Sequence, residues 1–334
     1  MNRFWILGVG LIAVLLVGCG GGSGTGTVAE TSPTPPKELR HVMVALDGWR
    51  DPEMVGILMA RERGYNEDAG LDVQTLSPVS PTVNMQDVIS GFDDFGVSHE
   101  PEVVLAKEKG APIVIVGSLV PQPTAAMIWL KKSHINGIAD LKGKTIAFPG
   151  LPSQKDLLQS FLARGGLTLN DVKLENAGTR LIDALLSRHA DAIFGGSWNV
   201  EGAELEARGL EPVIKRVEDA GVPPYDELVV ITRSDRVAED PQLVRDFMSA
   251  VLEGNAATVE DPKGTASVLD GAVESNPETD LKETEAGIDA TAPLLSEDGY
   301  VDPAQAEGLV EWMYEEGMIQ RKVPVKTLLT NAYR

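Results

Sequence analysis

TIAFPGLPSQ, Thr145–Gln154, is the stretch on which the fold turns. The apolar run Thr145–Pro149 reads as a strand, Gly150 and Pro152 punctuate a tight turn, and a helix opens at Ser153 and runs to Ala163. This strand, turn and helix restart a cadence that the chain has already run through once. Upstream lie strands at 41–46, 71–76, 95–98 and 112–119, alternating with amphipathic helices. Downstream come strands at 172–177, 191–195 and 212–217, again with helices between them. Strands separated by helices of this length imply parallel pairing through right-handed crossovers. Two α/β lobes follow, not one. LVVITR (228–233) reads as one further strand, and the helical, acidic remainder packs back on the first lobe.

Composition narrows the partners. The net charge of −21 repels phosphate backbones, so nucleic acid is excluded as a partner and the acidity reads as a solubilising surface. Cys19 is the single cysteine, which removes disulfides, cysteine nucleophiles and cysteine-rich metal sites together. The four histidines have no metal-binding spacing, and no phosphate loop or nucleophile elbow stands in the right context, so neither a metal, a cofactor nor a catalytic residue is expected. Arg3, the apolar run 4–17 and the small residues before Cys19 resemble a bacterial lipoprotein signal. Residues 1–18 are accordingly expected to be removed, with Cys19 lipidated and 19–38, rich in Gly, Ser, Thr and Pro, acting as a flexible tether.

In open parallel sheets, ligands bind at the loops beyond the carboxyl ends of strands. The unusual segments fall there: LDGWRDP (46–52), GVSHEP (96–101), FPGLPSQ (148–154) and GGSWNVE (195–201), with GVPPYDE (221–227) just before a strand. Trp49 and Trp198 lack apolar neighbours and are expected to touch a ligand, whereas Trp129 and Trp312 sit in apolar surroundings and are assigned to packing. Glu201 is either a ligand acceptor or a first-turn glutamate favoured by the helix dipole. Ser153 reads as an N-cap whose turn aims backbone N–H groups into the cleft. Tyr225 is a rim residue or a stacking partner. Asp51, His99, Glu100, Pro149, Gly150, Asn199 and Glu227 complete the candidate ligand-binding set.

Taken in order, LDGWRDPEMVGILMARERGYNEDAGLDV, GVSHEPEVVLAKEKGAPIVIV, IAFPGLPS, DAIFGGSWNVEGAELEARG and RVEDAGVPPYDELVVI resemble the ThiY-like substrate-binding lipoproteins of ABC importers, relatives of the yeast-type pyrimidine synthases. The resemblance implies a type II periplasmic-binding-protein fold, with lobe I from 39–125 and 229–334 and lobe II from 126–228. Hinges are expected near 121–129 and 225–229, and the cleft closes on a formylated or hydroxymethylated aminopyrimidine. It further implies a lipid-anchored, monomeric, extracytoplasmic protein that is not an enzyme and that partners a permease and an ATPase. Riboflavin, a sulfonate and a synthase-like activity are the alternatives. Where the family has Trp and Asn, this chain has Gly48 and Asp51, and a carboxylate, unlike an amide, only accepts hydrogen bonds.

Overall fold

The computed structural model describes residues 38–48, 52–77, 83–272 and 280–334. The expected signal peptide, Cys19, almost all of the tether, Trp49 and Asp51 lie outside the described residues. Residues Glu38–Arg334 form one compact unit.

Among the described residues, ten strands build two sheets. The first contains β1 (Arg40–Ala45), β2 (Leu71–Leu76), β3 (Phe95–Ser98), β4 (Ile113–Val120) and β10 (Leu228–Arg233); the second contains β5 (Ala125–Leu130), β6 (Thr145–Phe148), β7 (Lys173–Asn176), β8 (Ala192–Ser197) and β9 (Pro212–Arg216). Their spatial orders are β2-β1-β3-β10-β4 and β7-β6-β8-β5-β9. Numbered within its own lobe, each sheet therefore reads 2-1-3-X-4, where X is the strand that has just crossed from the other lobe.

Parallel pairing holds for β1 with β2 and β3, and for β6 with β7 and β8. It fails at the inserted strands. β10 runs antiparallel to β3 and β4, and β5 antiparallel to β8 and β9. The reason is directional: strands native to a lobe end at the cleft, whereas a crossing strand begins there and runs away from it. Bulges in β10 and β5 fall in their first residues, between Leu228 and Val229, between Val230 and Ile231, and between Ala126 and Met127.

β5 corrects the sequence reading, which assigned 121–129 to a hinge. Every residue of AAMIWL is buried. A strand covered on both faces has no alternation to reveal it. The crossing segment itself is only the four residues 121–124, between β4 and β5.

Trp129 is fully buried, and its indole Nε1 donates to the Ile135 carbonyl at 2.8 Å. Leu309, Met313 and Ile319 are buried and Trp312 packs against the same core, as their near-helical spacing predicts. The long helix Pro241–Glu260 packs against Val55–Glu62. Two glycines set that crossing: a Cβ on Gly254 would stand 2.0 Å from the Gly56 carbonyl oxygen, and one on Gly56 would meet the Asn255 side chain at 2.0 Å. The close approach fixes the short turn Pro52–Met54, and with it Glu53, at the cleft. Among the described residues, no helix is long and apolar enough to cross a membrane, and no cluster of His, Cys, Asp or Glu could hold a metal ion.

Candidate functional site

A cavity of about 170 Å³ lies between the two sheets. Its walls come largely from the carboxyl ends of strands, as the topology demands. Asp47 and Gly48 follow β1, His99 follows β3, Pro149 and Leu151 follow β6, Gly178, Thr179 and Arg180 follow β7, and Ser197 ends β8. Gly48 and Thr179 face each other across the opening: a Cβ at position 48 would lie 3.3 Å from Thr179 Cγ2.

Of the expected ligand-binding residues, His99, Pro149 and Glu201 line this cavity. His99 donates from Nδ1 to Glu227 Oε1 and from Nε2 to Asp47 Oδ2, each at 2.9 Å. Burial opposes charging the ring, but the two carboxylates beside it outweigh burial and lift its pKa well above the ordinary histidine value. Glu201 is the first residue of the helix Glu201–Ala207, and its Oε2 accepts the Ser197 N–H at 2.6 Å. Burial, reinforced by the charges of Glu53 and Glu204, pushes its pKa up to about 8, against the pull of the backbone N–H groups of Glu201 and Ser197. At neutral pH Glu201 is therefore a carboxylic acid, able to donate as well as accept.

The other candidates stand elsewhere. Trp198 packs against the second lobe's outer apolar cluster, and the Arg216 guanidinium covers its ring at 3.9 Å. Asn199 is fully buried, and its Nδ2 donates to Glu53 Oε1 at 3.1 Å and to Thr291 Oγ1 at 2.8 Å. Its amide hydrogens tie the lobes together and are not turned to the cavity. Tyr225 is buried and donates to Glu227 Oε2 at 3.1 Å. Glu100 is fully buried and accepts the Asp226 N–H at 2.8 Å; burial, with the Asp226 charge, pushes its pKa up to about 8. Leu151, not Ser153, is the N-cap of the helix Pro152–Ala163. The Ser153 N–H donates to Glu102 Oε1 at 2.7 Å, so the chain's own carboxylate takes the donor expected for a ligand. Gly150, at φ 90°, backs onto the Asn176 side chain.

Sequence reasoning passed over several lining residues. Asp47 stands two residues beyond the end of β1, where the strand-end rule could have found it. Glu53 accepts from Ser197 Oγ at 3.2 Å and from Asn199. Arg208 pairs with Glu204 at 2.6 Å within its helix and with Glu283 at 2.9 Å on the opposite lobe. Burial, helped by Glu283 and Asp183 and opposed by Arg208, pushes Glu204 to about 7. That cross-lobe pairing spans 75 positions and leaves no local mark. Seven acidic side chains line the cavity (Asp47, Glu53, Asp183, Glu201, Glu204, Asp270 and Glu283), Glu201 uncharged among them at neutral pH, against the cationic His99, Arg180 and Arg208, so the walls favour a donor-rich solute over an anion.

Two sheets of matching 2-1-3-X-4 order, joined by crossing segments and enclosing a cavity at their strand ends, define the periplasmic-binding-protein fold. The chain belongs to the NMT1/THI5 like family, whose profile matches residues 51–265. It is 31% identical over 269 residues to the formylaminopyrimidine-binding protein of Halalkalibacterium halodurans, covering 80% of this chain and 79% of that one. It is 27% identical over 232 residues to the 4-amino-5-hydroxymethyl-2-methylpyrimidine phosphate synthase of Legionella pneumophila, covering 69% and 72% respectively. Among solved structures, the alkanesulfonate-binding protein SsuA from Xanthomonas axonopodis pv. citri, bound to MOPS, superposes with a TM-score of 0.71 at 16% identity, covering 88% of this chain and 99% of that one.

Proposed function

We propose that this chain is the extracytoplasmic, lipid-anchored binding protein of an ABC importer and that it carries an aminopyrimidine of the thiamine-precursor type. The observation that carries this reading is Glu201 on the cavity wall, one oxygen held by the Ser197 N–H and the carboxyl kept neutral to about pH 8. An aminopyrimidine offers a ring nitrogen beside an exocyclic amine. Glu201 accepts from the amine while sharing its proton with the ring nitrogen, and the resulting charge-assisted bond is about twice as strong as a neutral one.

Size and charge favour this ligand over the alternatives. A cavity of about 170 Å³ is close to the ~150 Å³ space that accepts one benzene ring, which suits a single substituted ring better than the three fused rings of a flavin. The acid-rich walls disfavour a sulfonate. A binding role is favoured over a synthase role because the resemblance implies a cysteine-rich iron-site motif in the synthases, and Cys19 is this chain's single cysteine.

The test is mass spectrometry of small molecules copurifying with the compact unit Glu38–Arg334, followed by calorimetry with hydroxymethylpyrimidine, formylaminopyrimidine, riboflavin and taurine. An aminopyrimidine should copurify and bind. Binding of riboflavin or taurine alone would overturn the reading.

A further inference from the structure

Glu227 sits at the end of the second crossing segment, immediately before β10, and is buried. Its Oε2 accepts the Thr124 N–H at 2.7 Å, the Ala125 N–H at 3.0 Å and the Tyr225 hydroxyl at 3.1 Å. Thr124 and Ala125 lie where the first crossing segment enters β5, so one carboxylate oxygen staples both crossings together. Its Oε1 accepts from His99 Nδ1 at 2.9 Å. Three of these donors crowd Oε2 and the fourth holds Oε1, and the described residues lining the cavity do not include Glu227, so its carboxylate is turned to the chain itself.

The same accounting applies to His99. Both ring nitrogens face carboxylate oxygens at 2.9 Å, so both must donate, and neither is free for a solute. Capacity remains at Asp47, which lines the cavity: its Oδ2 is held by His99, while among the described residues its Oδ1 takes only a long bond of 3.3 Å from Asn84 Nδ2.

We propose that Glu227 is a positioning residue that acts through His99 to hold Asp47 as the ligand-facing acceptor on the lobe I wall, opposite Glu201. The assignment rests on the reading of the cleft as the site of a donor-bearing solute. It turns two residues expected to touch the ligand, His99 and Glu227, into the support for a third. It also links the cavity wall to the backbone where the lobes join, because Oε1 of one carboxylate reaches the site while Oε2 grips both crossings. The ionisable groups around the imidazole are Asp47, Glu227 and Glu102, with the Tyr225 phenol bonded to Glu227 behind it.

Glu227→Gln separates this role from a structural one. The glutamine oxygen can still accept from Thr124 and Ala125, but its NH₂ then faces Nδ1, which must give up its proton. Nitrogen-15 NMR of the ligand-free protein should find both His99 nitrogens protonated at pH 8 in the native chain. In Glu227→Gln, one proton should be lost at a clearly lower pH than in the native chain. Identical titrations in the two proteins would overturn the clamp. Calorimetry with hydroxymethylpyrimidine then tests the route to Asp47. Glu227→Gln and Asp47→Ala should each weaken binding at least tenfold, and the double variant should be no weaker than Asp47→Ala alone. Losses that multiply would show that Glu227 acts independently of Asp47, against the proposal. If the native chain binds no pyrimidine while its His99 titration behaves as expected, the aminopyrimidine reading fails and the His99 clamp stands.

Discussion

The Asn199 amide nitrogen lies 3.1 Å from Glu53 Oε1, joining the loop after β8 to the helix start that follows β1. Neither residue is near the other in sequence, and both are buried. The contact joins the segment after β8 to the segment after β1 through polar groups of the chain itself.

Asn199→Ala removes one buried hydrogen bond to Glu53 and one to Thr291. The expected loss is about 1–3 kcal/mol. Urea denaturation should show a lower midpoint at an unchanged slope. A midpoint equal to that of the native chain would remove Asn199 from the contacts that hold the fold together.

Arg208 and Glu283 form a second tie across the same cleft, next to Lys282, which donates to the Ala207 carbonyl. Because the Arg208 and Glu283 side chains are only 23% and 10% exposed, the pair is shielded from screening. Arg208→Ala should shift the ligand-free protein toward an open form, read as a larger radius of gyration by small-angle scattering. An unchanged radius would show that the pair does not govern opening.

Gly48→Val places a side chain where a Cβ is already 3.3 Å from Thr179 Cγ2. The added methyls should keep the lobes apart and weaken ligand binding at least tenfold. Thr179→Gly in the same background should restore part of the loss. Failure of that rescue would mean that position 48 acts through something other than Thr179.

Stability should fall as pH rises from about 5 to 8. Burial, with the Asp226 charge, holds Glu100 near 8 in the folded chain against 4.5 as its ordinary value, so the unfolded state ionises first and is favoured in that window. Glu201 and Glu204, pushed up to about 8 and about 7, act in the same direction. Glu100→Gln should match the native chain at pH 5 and exceed it at pH 8 in thermal midpoint. Parallel curves for the two proteins would contradict the buried neutral Glu100.

Much of this architecture is legible in the sequence because its native strands announce themselves by apolar runs between turn residues. LVVITR at 228–233 is read to the residue. The inserted strand β5 is not, since an all-buried segment after Pro121 and Pro123 looks the same as a stiff crossing. Site residues divide along a similar line. Asp47 and Glu201 lie just beyond strand ends, Glu201 at the start of its helix, and follow from topology, whereas Arg208 with Glu283 is a tertiary pairing with no local signature. Trp198 shows the converse: polar sequence neighbours suggest a ligand face, but Arg216, 18 residues on in the sequence, covers the ring from the adjoining part of the lobe.

The most direct measurement is calorimetry of native and Glu201→Gln proteins with hydroxymethylpyrimidine and with its analogue lacking the 4-amino group. The account predicts that Glu201→Gln loses at least tenfold in affinity for the amine-bearing ring, about 1.4 kcal/mol, and far less for the analogue. Equal losses for both rings, or no binding of the amine-bearing ring to the native protein, would contradict it.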